Sequence, residues 1–258
     1  MNENWPYRIK ERIKNMVIKQ VDIGMSAANV YQCFSETDNY FLKIDSKNSW
    51  LKDEYQNIIW LNNKAPVPKI IEWDSDDIND YLLISKINGL MLCDEYYLNN
   101  HISAISVLAK GLQLLQSIDI KNCNIVNNLD KKLNSANIHV KNNEVDVNDW
   151  DEETKKSFQS PSILLEYLYD NRPENEELVF THGDYCLPNI FGFGDELLGF
   201  IDLSTAGIAD KWQDIALCIR SLWYNFETNE YDKLLLNNLG IERDDKKLKY
   251  YILLDELF

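Results

Sequence analysis

The sequence predicts an α+β protein of two lobes, with a small β-rich N-lobe that contains one main helix and a larger, mainly helical C-lobe. The first 86 residues hold several short apolar runs separated by polar turns, which are typical of strands. Residues 87–258 hold longer segments whose apolar side chains recur with the period of a helix. A chain of 258 residues that is 45% hydrophobic can bury cores for both lobes.

Within the N-lobe, three strands are predicted before the helix. They are the segments NMVIKQVDIG, ANVYQCFS and NYFLKID, with the polar turn ETDN between the last two. The segment SWLKDEYQNIIWLNN then predicts a helix, which APVPK ends. The apolar run DYLLISKI predicts a buried strand, and NGLML a turn or linker. We therefore expect the lobe boundary near residues 86–89.

The C-lobe is predicted to be built on four helices. They are ISAISVLAKGLQLLQSI, SPSILLEYLYDN, DIALCIRSLWYNF and KKLKYYILLDELF, and Ser160-Pro161 is a typical start for the second. Residues 121–149 are rich in Asn and Lys and lack a long apolar run, so short helices and surface loops are expected there.

The net charge of −16 is concentrated in the second half of the chain. Residues 141–258 hold 25 acidic and 11 basic side chains, against 17 and 15 in residues 1–140. Such a field repels nucleic acid and anionic membranes and attracts cations. Composition alone favours a simpler interpretation, an acidic surface that keeps the protein in solution.

Several classes of protein are excluded by simpler features. No apolar run approaches the roughly 20 residues of a membrane span, and the N-terminus lacks the apolar core of a signal peptide, so a cytoplasmic protein is expected. The five cysteines are scattered and form no CxxC pair, which argues against a disulfide framework or a thiolate zinc site.

The stretch THGDYCLPNI, residues 181–190, carries the most specific signal. It follows the apolar run of a strand and places a carboxylate, Asp184, five residues before an amide, Asn189. The next segment, IFGFGDELLGFID, predicts a hairpin around Gly194-Asp195 that returns Asp202 to the side of Asn189.

Phosphoryl transfer from ATP requires such a set of side chains. One carboxylate orients and deprotonates the attacking hydroxyl, and oxygen ligands hold Mg²⁺ against the triphosphate. Protein kinases use a catalytic-loop Asp, an Asn shortly after it and a metal-binding Asp beyond a hairpin. These roles would be taken here by Asp184, Asn189 and Asp202.

The N-lobe holds the residues that this comparison requires. Lys43, at the end of YFLK, is expected to contact the phosphates, and Glu54 in the following helix to pair with it. Residues 24–31, GMSAANVY, lie where a phosphate-covering loop belongs, although they lack the GxGxxG pattern; the Ser26 hydroxyl could cap the terminal phosphate. Taken alone, a lysine such as Lys43 or a glutamate such as Glu54 is commonly a solvated side chain. Only the order and spacing of these residues favour a kinase site.

With these motifs, the sequence resembles the aminoglycoside 3′-phosphotransferases, kanamycin kinases that confer resistance and share the protein-kinase-like fold. The most specific segments are HGDYCLPNI, GFIDL, AGIADKWQDIALCIRSL and KYYILLDELF. Weaker matches occur in DIGMSAANVY, YFLKID, APVPK and QLLQSIDIKNC, so that the resemblance runs from about residue 12 to the end.

The resemblance implies an ATP-dependent and Mg²⁺-dependent enzyme that phosphorylates the 3′-hydroxyl of kanamycin-type antibiotics. Asp184 matches the catalytic aspartate, and Asn189 and Asp202 match the Mg²⁺ ligands. Nucleotide-binding positions are matched by Ser26, Phe41, Lys43, Glu54, Ser85 and Ile87. Positions that line the pocket of the cationic aminoglycoside are matched by Asp151, Arg220, Asp255, Glu256 and Phe258, the last of which could bind through the C-terminal carboxylate. No nucleic acid, membrane or obligate protein partner is expected.

The chain also departs from the family pattern. Thr205 stands where members commonly have an arginine near the transferred phosphate, and WYNF (223–226) replaces a more acidic stretch that faces the antibiotic. We expect Trp223 and Tyr224 to fill core, with stacking on sugar rings as the alternative. We expect His182 to shape the catalytic loop and Cys186 and Cys218 to be packed rather than reactive.

Two other functions stay open on the sequence alone. One is a kinase of the same fold that acts on another small-molecule hydroxyl. The other is a catalytically silent nucleotide-binding protein, against which the retention of Lys43, Glu54, Asp184, Asn189 and Asp202 counts.

Overall fold

Among its described residues, the N-lobe contains a five-stranded antiparallel sheet and two helices. The computed structural model describes residues 5–21, 29–47 and 49–258. The helices are α1 (Tyr7–Arg12) and α2 (Leu51–Leu61), and the strands are β1 (Val17–Val21), β2 (Asn29–Phe34), β3 (Asn39–Ser46), β4 (Ile70–Ser75) and β5 (Asn79–Ser85). They are ordered β1-β2-β3-β5-β4 across the sheet.

Strand β5 is buried on both faces, which explains the unbroken apolar run that predicted it. Leu82 and Ile84 pack into the main core with α2, whereas Tyr81 and Leu83 face the opposite way, into a smaller cluster with α1. Because side chains of a strand alternate between faces, a strand covered on both sides is apolar at every position. The sequence analysis did not predict α1 or the edge strand β4.

The C-lobe combines helices with two small sheets. Its helices are α3 (Glu95–Leu98), α4 (His101–Gln116), α5 (Leu129–Asn142), α6 (Glu152–Ser157), α7 (Pro161–Asp170), α8 (Lys211–Phe226), α9 (Tyr231–Leu239) and α10 (Asp245–Asp255). Its strands are β6 (Leu90–Met91), β7 (Leu178–Thr181), β8 (Ile190–Phe193), β9 (Glu196–Phe200) and β10 (Gly207–Asp210), arranged as a β6-β8-β9 sheet and a β7-β10 pair. Among the described residues, no helix is long and apolar enough to cross a membrane.

The predicted α+β architecture is therefore confirmed, with a sheet-rich first lobe and a helical second one. We propose the division into residues 1–86 and 87–258. The backbone N–H of Lys86 still donates to Asn39 of β3, at 2.9 Å, whereas β6 pairs with β8 of the C-lobe.

The segment 121–149 departs from the sequence prediction. It contains α5, a helix of 14 residues, where short helices and loops were expected. The Asn128 side chain caps α5 by accepting from the Lys131 N–H, and the buried stripe comprises Leu129, Lys132, Leu133 and Ala136. Because one member of that stripe is a lysine, the apolar period was too weak to predict the helix. Helix α9 was also not predicted.

Candidate active site

The loop that follows β7 carries Asp184, and a buried carboxylate holds this loop from behind. The backbone N–H groups of His182 and Gly183 donate to Asp214 Oδ2 and Oδ1, at 2.6 and 2.9 Å. Asp214 lies in the first turn of α8, and burial raises its pKa. A carboxylate that accepts from two successive amides fixes the direction in which the chain leaves the strand. The position of Asp184 therefore depends on α8 as well as on its own loop.

Two further features fix the same turn. Gly183 has a φ of +89°, and a Cβ there would collide with the backbone of Thr205, so only glycine fits. The fully buried ring of His182 contacts the Ile201 carbonyl through Nε2, at 2.9 Å, and its Nδ1 accepts from the Asp184 N–H, at 3.3 Å. The prediction that His182 shapes this loop is confirmed.

Asn189 is held directly against Asp184. Its Nδ2 donates to the Asp184 backbone carbonyl at 3.0 Å and to Asp184 Oδ2 at 2.8 Å. Asn189 ends a short 3₁₀ turn, Leu187–Asn189, and is 5% exposed. Both amide protons are thereby used inside the site, and the amide oxygen accepts no hydrogen bond from the described residues, so it can serve another group.

The predicted hairpin after Asn189 is confirmed. Strands β8 and β9 pair around Gly194-Asp195, and the Ile201 N–H returns to the Asn189 carbonyl at 3.0 Å. The following residue, Asp202, has a φ of +56°, a conformation that aspartate tolerates better than most residues. This turn directs the Asp202 carboxylate to Lys43 of the N-lobe, with which it forms an ion pair.

Lys43 and Glu54 form the expected pair across the N-lobe. Lys43 lies on β3, and its Nζ is 2.7 and 2.9 Å from the two carboxylate oxygens of Glu54 on α2. Burial opposes the charge of the ammonium, but Glu54 and Asp202 outweigh it and raise the pKa of Lys43. The lysine is therefore held as a fixed cation at the junction of the lobes.

The donor set beside Asp184 fits a magnesium ion. Asn189 offers its free amide oxygen and Asp202 a half-exposed carboxylate, both from the same hairpin. Mg²⁺ prefers oxygen ligands and commonly takes few of them from the protein, with phosphate and water completing the shell. Within the described ranges, no three His, Cys, Asp or Glu side chains cluster as a metal site.

The other described residues expected at the nucleotide lie on β3, at the end of β5 and two residues beyond that end. Phe41 is partly buried against the main core and is paired in register with Ile84. Both the N–H and the Oγ of Ser85 are engaged with Lys69, at 2.9 Å each. The backbone of Ile87 makes no hydrogen bond to the described part of the chain and is therefore the better candidate to bond adenine. Ser26 lies outside the described residues.

The residues expected at the aminoglycoside also come together. Both carboxylate oxygens of Glu256 accept from the Asp151 N–H, at 3.2 Å, and Arg220 of α8 forms an ion pair with Asp255 and lies 3.9 Å from Glu256. Burial raises the pKa of Glu256 to about 7. The fifth residue, Phe258, is half exposed beside them.

Two cysteines and two aromatic residues near the site were expected to be packed, and three of these four expectations agree with the structure. Burial raises the pKa of the Cys186 and Cys218 thiols, which agrees with packed rather than reactive cysteines. Trp223 packs against the main core and donates to Asp232 Oδ1 at 2.7 Å, as expected of a core residue. The expectation that Tyr224 fills core was wrong, because its side chain is 85% exposed.

Sequence reasoning missed three residues that hold the loop of Asp184. They are Lys132, Asp214 and Gln213, of which Lys132 and Gln213 both donate to the Gly183 carbonyl at 3.3 Å. An acidic residue directly before the apolar run IALCI was an available signal for Asp214, since a carboxylate on a buried helix face requires partners. Nothing in the sequence around Lys132 distinguishes it from the exposed Lys131.

Comparison with known proteins agrees with this geometry. Residues 17–251 match the model of the phosphotransferase enzyme family. An aminoglycoside 3′-phosphotransferase from Enterococcus faecalis is 38% identical over 264 residues, covering 97% of this chain and 98% of that protein.

Two solved structures extend the comparison to the fold. A crystal structure of an aminoglycoside 3′-phosphotransferase of type VIII superimposes with a TM-score of 0.87 at 26% identity and covers 97% of each chain. A structure of an aminoglycoside phosphotransferase from Streptomyces rimosus in complex with ADP and streptomycin gives a TM-score of 0.79 at 22% identity, over 93% of this chain and 92% of that one.

Proposed function

Since this chain belongs to the phosphotransferase enzyme family and, within it, to the aminoglycoside 3′-phosphotransferases, we propose that it transfers the γ-phosphoryl group of ATP to the 3′-hydroxyl of kanamycin-type aminoglycosides. Such a modification would inactivate the antibiotic and give resistance. We also propose the cytoplasm as the location of the reaction, because that is where ATP is supplied.

One observation carries this proposal. The carboxylate of Asp184 is fixed by the Asn189 amide at 2.8 Å, and the hairpin from Asn189 leads to Asp202, which is ion-paired with Lys43. A proton acceptor, oxygen ligands for a metal and a phosphate-binding cation are therefore linked in one network across the lobes. This is the set of groups that phosphoryl transfer requires.

Asp184 would accept a hydrogen bond from the attacking hydroxyl and take its proton late in the reaction. The O–P bond to the acceptor forms while the bond to the leaving ADP oxygen breaks, and the transition state is loose, so positioning contributes most of the rate. Mg²⁺, held by Asn189 and Asp202, would neutralise charge on the phosphates when bound. Lys43, kept in place by Glu54, would bind the α- and β-phosphates.

A cluster of acidic residues in the C-lobe supports an aminoglycoside as the acceptor. Asp151 lies at the start of α6, and Asp255 and Glu256 lie at the end of α10, so three acidic residues meet there. Aminoglycosides are polycations, and carboxylates attract and orient ammonium groups through charge-assisted hydrogen bonds. The charge of −16, concentrated in residues 141–258, would guide the substrate to this lobe.

An ADP-release assay with MgATP tests the proposal. Kanamycin and an analogue that lacks the 3′-hydroxyl are compared, and turnover is expected for kanamycin alone. Asp184→Ala should lower kcat by about 10²- to 10⁴-fold with ATP binding retained, because a positioned general base contributes about that factor. Asp195→Ala, in the exposed β8-β9 turn, is the matched control and should keep wild-type kcat. Turnover of the deoxy analogue, or of neither compound, would contradict the proposal.

A further inference from the structure

Helix α5 brings one buried lysine to the back of the catalytic loop. Lys132 is 8% exposed, and its Nζ donates to the carbonyl of Gly183 at 3.3 Å. That carbonyl belongs to the same peptide unit as the Asp184 N–H, which donates to His182 Nδ1 at 3.3 Å. The peptide group that precedes the proposed base is thus held at both of its polar atoms.

The same lysine also lies over an aromatic ring of the proposed substrate pocket. Its Nζ is 5.7 Å from the centroid of the Phe258 ring, within the range of a cation–π contact. His139, two turns further along α5, meets that ring edge-on at 5.2 Å between centroids. One face of α5 therefore contacts both the peptide that carries Asp184 and the ring of Phe258.

Stability alone does not account for this buried charge. Within the part of the chain that the structure describes, no carboxylate lies within ion-pair distance of Lys132. Burial lowers the pKa of Lys132, opposed by the carboxylates of Asp255, Asp214 and Asp184. Those of Asp255 and Asp214 already have closer partners, in Arg220 and in the two loop amides. Burial of the ammonium is unfavourable, and no direct ion pair among the described residues offsets it. We therefore look for a role of Lys132 in function.

We propose that Lys132 is a positioning residue of the phosphotransfer reaction, which sets the orientation of the Asp184 peptide and holds the Phe258 ring beside it. This inference rests on the proposed function, because it assigns Asp184 as the base. It does not make Lys132 a catalytic residue, since the lysine acts through Gly183 rather than on the acceptor.

Steady-state kinetics separate positioning from a purely structural role. Lys132→Met keeps the length of the stem and removes the ammonium, and it should lower kcat about ten- to a hundredfold, the range typical of a small misplacement of a reacting group. The KM for ATP should stay within about twofold of wild type. Lys132→Arg keeps a cation and should restore most of kcat. The matched control is Lys131→Met, one residue away on the exposed face of α5, which should leave kcat unchanged.

A second measurement does not depend on the acceptor. Hydrogen–deuterium exchange of residues 181–190 should be faster in Lys132→Met than in wild type and Lys131→Met. If wild-type protein phosphorylates no aminoglycoside, the proposed function fails, and the exchange result still decides whether Lys132 fixes the Asp184 peptide. Wild-type kcat in Lys132→Met, an arginine variant as slow as the methionine variant, or unchanged exchange would each overturn the inference.

Discussion

The side-chain amide of Asn189 donates to the carboxylate of Asp184 at 2.8 Å, and this single contact joins the proposed base to the proposed metal ligand. Because one amide nitrogen serves the base while its oxygen stays free, the residue can orient Asp184 and coordinate Mg²⁺ at the same time. Neither aspartate nor alanine at this position can do both.

Substitution of Asn189 should therefore affect two observables. Asn189→Ala should lower kcat by about 10²-fold, within the range of a general-base contribution, and should raise the Mg²⁺ concentration needed for half-maximal rate. Asn189→Asp should recover the Mg²⁺ dependence but not kcat, because its carboxylate repels Asp184 instead of donating to it. Rate measured against Mg²⁺ concentration at saturating ATP checks both. Full recovery of kcat in Asn189→Asp would exclude the orienting role.

The Lys43–Glu54 pair predicts a change in stability as well as in activity. Lys43→Met leaves the buried Glu54 carboxylate without its cation, which should cost about 3 kcal/mol in the free energy of unfolding. Lys43→Met combined with Glu54→Gln should recover much of this loss but no activity, because the phosphate-binding cation remains absent. Urea denaturation of both variants, with wild type as the reference, measures the difference. A double variant no more stable than Lys43→Met would contradict this account.

Glu256 predicts a pH dependence of substrate binding. Burial raises its pKa to about 7, above the ordinary value for Glu, so the carboxylate becomes protonated as the pH falls through 7. Only the ionised form attracts an ammonium group, and the KM for the aminoglycoside should therefore rise between pH 8 and pH 6. Glu256→Gln should have a higher KM that changes less over this range.

Ionisation of Glu256 should favour substrate binding but lower the stability of the folded state. The folded-state pKa of Glu256 exceeds its unfolded value, so the native state binds more protons between these two values. The contribution of Glu256 to stability is therefore present at acid pH and is lost as the pH rises through about 7.

In the KM experiment, comparison with Glu256→Gln cancels the titration of the substrate's own amines, which is common to both enzymes. Identical KM profiles for the two proteins would show that Glu256 does not bind the substrate.

The sequence predicted the residues that belong to a spaced motif, but not those whose role depends on tertiary contacts. Lys43, Glu54, Asp184, Asn189 and Asp202 were identified because their order and spacing match a chemical requirement, and the hairpin before Asp202 has a recognisable turn. Helix α5 was missed because its buried stripe contains a lysine. A buried cation is identical in sequence to an exposed one, and only the tertiary contact of Lys132 with Gly183 reveals it.

Tyr224 gives the last prediction, since its exposure contradicts the expected core position. It lies one turn beyond Arg220 on the same face of α8, and Arg220 contacts the carboxylates of the proposed pocket. An exposed aromatic ring there can stack on the apolar face of a sugar, and we take for this contact the value of a pair of aromatic rings, about 0.5–1.5 kcal/mol.

Tyr224→Ala should therefore raise the KM for the aminoglycoside about two- to tenfold, which is the same energy expressed as a ratio, and leave kcat and the unfolding midpoint unchanged. Tyr224→Phe should keep the wild-type KM, because stacking needs the ring and not the hydroxyl. Tyr7→Ala, an equally simple truncation of an exposed tyrosine on α1 of the other lobe, provides the control. If Tyr224→Ala and Tyr7→Ala show the same KM, the ring at position 224 is a solvent-exposed side chain without a role in substrate recognition.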